Sequence, residues 1–149
     1  MNTTAFVILA LVGGVFLAAQ GGFNTQLGVL LNSPLLASTT VYLFSTTFAL
    51  GAVLLSVKEF PSISELRTIP TYLWFTGALL SLIGITLYYY TIPKLGISTM
   101  ISLGLCGQLI FSLIAGHFGW FNLPVEPADL KRIFGVVIMI IGIVLINSK

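Results

Sequence analysis

The first charged side chain in this sequence is Lys58, and the charges that follow stand in a few small groups. They are Lys58, Glu59, Glu65, Arg67, Lys94, Glu126, Asp129, Lys131, Arg132 and Lys149. Between them run apolar stretches long enough to cross a bilayer, which takes about 20 helical residues at roughly 1.5 Å each. In hydrocarbon every backbone N–H and C=O must be bonded within the protein, which leaves helices or closed barrels. The stretches do not alternate polar with apolar, so an all-α integral membrane protein is predicted. Its five transmembrane helices fall at 4–31, 35–57, 70–92, 97–119 and 130–147, in one domain covering 1–149. Composition agrees. Only 7% of the residues are charged, against about a quarter in soluble domains, and 57% are hydrophobic.

Local signals mark the joins. In "NSPL" at 32–35, Ser33 precedes a proline and Pro34 suits a helix start. "IPKLG" at 92–96 separates the third span from the fourth. "FNLPVEPADLKR" separates the fourth from the fifth, with Asp129 the expected N-cap. The opening "MNTT" has no Lys or Arg, and the apolar run after it exceeds a signal-peptide core, so a retained span is expected. Five spans place the termini on opposite sides. The N-terminal side holds Lys58, Arg67, Lys131 and Arg132, and the other side Lys94 and Lys149. That margin favours a cytoplasmic N-terminus, yet is small enough for insertion both ways up. A net charge of +2 with no basic run gives no grounds for a nucleic-acid partner. Cys106 is the single cysteine, so no internal disulfide or cysteine metal cage follows; it is expected to be a buried small hydrophobe.

No Asp, Glu, Lys or Arg lies well inside a span. Proton-driven transporters usually keep an ionisable group there. What the spans hold instead is carboxamides. "QGGFNTQ" at 20–26 puts Gln20 and Asn24 on one helix face, with Gln20 near the middle of the first span. Gln108 is at the middle of the fourth, on a Gly104–Gln108–Ser112 stripe. Amides at matched depth either glue helices together, at about 0.6–2 kcal/mol per bond, or line a path for substrate. Gly21 and Gly22 are expected to loosen the first helix there, and a bent helix near the midplane points to a transporter site. Tyr88, Tyr89 and Tyr90 read as an interfacial aromatic belt. Tyr88 is singled out because it continues the Gly77–Ser81–Gly84 face, a small-residue face expected to pack on another helix. Trp74 and Trp120 read as interface anchors. His117, about 13 Å from the centre of its span, reads as interfacial and structural, with proton acceptance as the alternative. Gly135 and Gly142 lie on one face of the last span and are expected to form a helix contact. One histidine without a neighbouring carboxylate supports no metal site, and no catalytic pair or phosphate loop suggests an enzyme.

These residues resemble the YdcZ-type five-helix members of the drug/metabolite transporter superfamily over nearly the whole chain. The resemblance is carried by Gln20, Asn24 and Leu27 with "NSPL", and by "PKLG" at 93–96. It continues in "GQL" at 107–109, Ser112, "HFGWFNLP" at 117–124 and "GVVIMIIGIVL" in the last span. Members similar to this one usually carry Asp before His-Phe-Gly. Gly116 stands there in this chain, which frees His117 from any pairing with that Asp.

The resemblance implies half of a ten-helix, inverted-repeat transporter fold in the inner membrane. The partner would be a second copy in inverted orientation, or an oppositely oriented paralogue. The substrate site would lie near the midplane, at Gln20, Asn24, Tyr88, Gln108 and Ser112. The expected cargo is a small polar molecule or a soft cation held by aromatic faces and amide oxygens, moved by alternating access without a cofactor. A passive pore, or a membrane subunit that transports nothing, are the alternatives.

Overall fold

The computed structural model describes residues 2–148; Lys149, counted above on the far side of the membrane, lies outside them. The described residues are helical, without a strand. The helices are α1 Thr3–Leu30, α2 Pro34–Ser56, α3 Ile63–Thr68, α4 Thr76–Leu95, α5 Ile97–His117 and α6 Leu130–Asn147. Single 3-10 turns at Thr71–Trp74 and Trp120–Asn122 precede α4 and α6. Five segments are long and apolar enough to cross a membrane: α1, α2, Thr71–Leu95, α5 and α6. The short α3 begins with a capping box. The Ser62 backbone and hydroxyl both bond to the Glu65 carboxylate, holding its pKa below the ordinary carboxyl value.

The chain divides into two compact units, Met1–Lys94 and Leu95–Lys149. In the first, α1 is one unbroken helix through 20–26, so Gly21 and Gly22 do not interrupt it. Two glycines in this half of α1 serve close approach instead. A Cβ on Gly21 would sit 3.8 Å from Ile92 of α4, and one on Gly28 would sit 3.5 Å from Ala37 Cβ and 3.6 Å from Pro34 Cα. Small residues at a crossing let backbones come together where lipid supplies no hydrophobic drive. "NSPL" acts as expected. Asn32 turns left-handed at φ 52°, the Ser33 N–H donates to the Gly28 carbonyl, and the Ser33 hydroxyl accepts from the Leu36 N–H.

Few side chains are buried, and most of the large apolar ones are exposed. Ala37 and Ser38 are both 0% exposed, whereas Phe48 is 74% exposed. In water so much exposed apolar surface would drive association. In lipid it meets an equally apolar solvent.

The join expected at 92–96 is shorter than its sequence suggests. α4 continues through Pro93 to Leu95; the proline lacks the N–H that would bond the Tyr89 carbonyl four residues earlier. Only Gly96 stands outside the helices, at φ 85° and ψ 153°. This region is open essentially to glycine alone, and another residue there costs on the order of 1–3 kcal/mol. Gly96→Ala should lower stability by about that much in denaturant titrations of the reconstituted protein. An unchanged midpoint would show that the join does not hold this conformation.

In the second unit α6 turns Val136, Ile140, Ile143 and Asn147 towards α5; Ile143 is buried and the others half-buried. Asn147 Nδ2 donates to Ser102 Oγ at 2.9 Å. The expected Gly135–Gly142 contact is therefore not the one made within the chain. Those glycines stand one position round from the packed stripe, with nothing within 4 Å of a Cβ on either. Gly77 and Gly84 are equally open.

Candidate functional site

In the first unit, α1 presents Gln20 and Asn24 one turn apart, and α4 presents Tyr89. Asn24 Nδ2 donates to Tyr89 Oη at 2.8 Å. Tyr89 is 2% exposed. Two more bonds tie α4 to α2, Ser38 Oγ to Thr86 Oγ1 at 2.9 Å and Tyr42 Oη to Ser81 Oγ at 2.6 Å. Thr25, between Gly21 and Gly28 on the packed stripe, has a buried hydroxyl without a hydrogen-bond partner among the described residues. This unit is thus sewn by hydroxyls and amides, each worth about 0.6 kcal/mol on average between membrane helices.

Tyr89 is the residue that the sequence hid. Three adjacent tyrosines carry no periodicity, and a helix ending at 92 would leave all of them at the interface. Tyr89 falls on the stripe with Thr86 and Ile92 that packs inward. The spacing of three from Thr86 to Tyr89 to Ile92 is the signal that could have found it. Tyr88, one position round, is half-buried. Tyr90 is exposed, with Lys94 Nζ 3.5 Å from its ring centroid, and fits the belt.

In the second unit Gln108 and Ser112 are both exposed on α5, and Ser112 Oγ donates to the Leu109 carbonyl at 3.0 Å. Cys106 is half-buried rather than buried. Ser112 lines two clefts. One, of about 420 Å³, lies between the end of α5 and the segment that follows it, with Phe111, Trp120, Phe121 and Glu126 in its wall. The other, of about 460 Å³, lies between α5 and α6, with Leu109, Arg132 and Met139.

The segment after α5 folds back on the helix that precedes it. The Glu126 N–H donates to the Gly116 carbonyl at 2.8 Å, and the Ala128 N–H donates to His117 Nδ1 at 3.1 Å. His117 thereby latches the loop, with Nδ1 as acceptor, which is the structural role expected of it. Asp129 caps α6 by accepting from the Arg132 N–H. Arg132 Nη1 also bonds Glu126 Oε2 at 2.8 Å, with the two side chains 45% and 60% exposed. An ion pair so exposed contributes no more than about 1 kcal/mol. The loop is tightly wound. Gly119, Phe121 and Asn122 have φ of 62°, 63° and 56°, a region that costs a non-glycine residue roughly 1–2 kcal/mol. Nothing in the spacing of Glu126 announces that the chain doubles back onto Gly116. A Cβ on Gly116 would lie 3.6 Å from Glu126 Cβ.

The family model described as "Putative inner membrane exporter, YdcZ" matches residues 5–145 of the chain. No curated protein and no solved structure matches it.

Proposed function

The chain belongs to the YdcZ family of inner-membrane exporters, a multi-pass membrane protein with five spans, and on that premise we propose that it carries a small polar or soft cationic molecule by alternating access. The unit of transport is an antiparallel pair, formed with a second copy or with an oppositely oriented paralogue, which completes a ten-helix inverted-repeat fold. Its midplane cavity is lined by Gln20, Asn24, Tyr88, Gln108 and Ser112, with Tyr89 holding Asn24 in place.

One observation carries this reading. Gln20 stands one turn from Asn24 and its bond to the buried Tyr89, yet its side chain is exposed on the surface of a single chain in the middle of a span. A carboxamide facing hydrocarbon is costly, and the cost disappears when it faces a partner or a water-filled cavity. The open faces at Gly77, Gly84, Gly135 and Gly142 give a partner room to approach.

Counterflow in proteoliposomes tests the reading, with radiolabelled choline and tetraphenylphosphonium as probes. Saturable uptake accelerated by unlabelled probe inside is expected, because a carrier returns faster loaded. Flux that neither saturates nor shows counterflow indicates a pore, and flux equal to that of empty liposomes contradicts transport of these probes.

A further inference from the structure

The cleft at the end of α5 lies outside the proposed midplane cavity, apart from Ser112 at its edge. Its wall is aromatic. Phe111 meets Trp120 edge-on with centroids 5.9 Å apart and Phe121 at 6.2 Å, and Phe118 stacks on Trp120 at 6.2 Å. Phe121 joins this group only by taking a left-handed backbone, which a bulky residue keeps only when its surroundings over-determine it. Among the described residues Glu126 is the only charged one lining the cleft; it also borders the neighbouring cleft, which its partner Arg132 lines. Aromatic faces carry negative potential and the carboxylate adds a full negative charge, so the two together select a cation with an apolar body. The volume, about 420 Å³, lies in the range of small-molecule sites.

We propose that this cleft binds an organic ammonium cation, with the Phe111, Trp120 and Phe121 rings around its alkyl groups and Glu126 as its counter-ion. The ligand and Arg132 compete for the same carboxylate. That competition is feasible because both side chains of the pair reach solvent and their bond is a weak surface one.

The test is equilibrium binding to the full chain in lipid nanodiscs. Trp74→Phe leaves Trp120 as the single tryptophan, so its fluorescence reports on the cleft. The probes are choline and its neutral carbon isostere, in which a quaternary carbon replaces the nitrogen. A saturable choline response is expected, with the isostere weaker by at least about tenfold. Glu126→Gln should remove that preference, and Arg132→Gln should tighten choline binding. Both substitutions break the same ion pair, so a purely structural role would move binding in the same direction, whereas competition moves it in opposite directions. The proposal is overturned if the isostere binds as well as choline, if the two variants shift together, or if Trp120 shows no saturable response. No gradient or transport is involved, so failure here leaves the midplane cavity standing.

Discussion

Gln20→Leu and Gln108→Leu are each expected to abolish saturable transport while the protein still inserts and pairs. Leucine keeps most of the volume of glutamine and removes both halves of its amide. If the amides only glue helices, the loss is about 0.6–2 kcal/mol of association and transport by the assembled protein survives. If they line the cavity, assembly survives and transport fails, because the substrate loses bonds that nothing in an aliphatic wall replaces. Tyr89→Phe separates positioning from lining. It removes the oxygen that accepts from Asn24 Nδ2, leaving a part-buried amide unpartnered at a cost of about 1–3 kcal/mol. Transport should fall by about tenfold or more, through a raised KM for the probe, since roughly 1.4 kcal/mol is tenfold in affinity. Full transport by all three variants, with intact pairing, would remove the amides from the path.

Gly28→Leu is expected to break the α1–α2 hairpin. A single added carbon at Gly28 makes ordinary contact, 3.5 Å from Ala37 Cβ and 3.6 Å from Pro34 Cα. Gly28→Ala should therefore be tolerated, helped by a gain of up to about 1 kcal/mol in helix propensity. The rest of a leucine side chain has no room, because Ala37 is fully buried and Pro34 offers backbone rather than a movable side chain. Overpacking costs about 1–3 kcal/mol where a core can adjust, and more is expected at a helix crossing built on backbone approach. Denaturant titration of both variants checks this, and equal stability would show that α1 and α2 do not meet at Gly28.

The five spans were legible because charge-free runs are a property of composition and length, which lipid reads directly. "NSPL" and Asp129 were legible because caps are local. Packing faces were not. A span is apolar all round, so its pattern does not say which side meets protein. Gly135 and Gly142 suggested one face of α6, and Ile143 with Asn147 took another. Tyr89 was masked by its neighbours for the same reason. Glu126 depended on a chain reversal stabilised by Gly116 and His117, residues ten and nine positions earlier, and such a bond across a loop leaves no periodic trace.

The inverted pair is the claim on which the cavity rests, and orientation tests it most directly. Cys106→Ala removes the single native thiol, and single cysteines at Asn2 and Ser148 then report the two ends of the chain. Intact cells are labelled with a membrane-impermeant thiol reagent. Each site should be labelled in about half the molecules, as insertion both ways up requires. Labelling of one end alone would contradict pairing between two inverted copies of this chain.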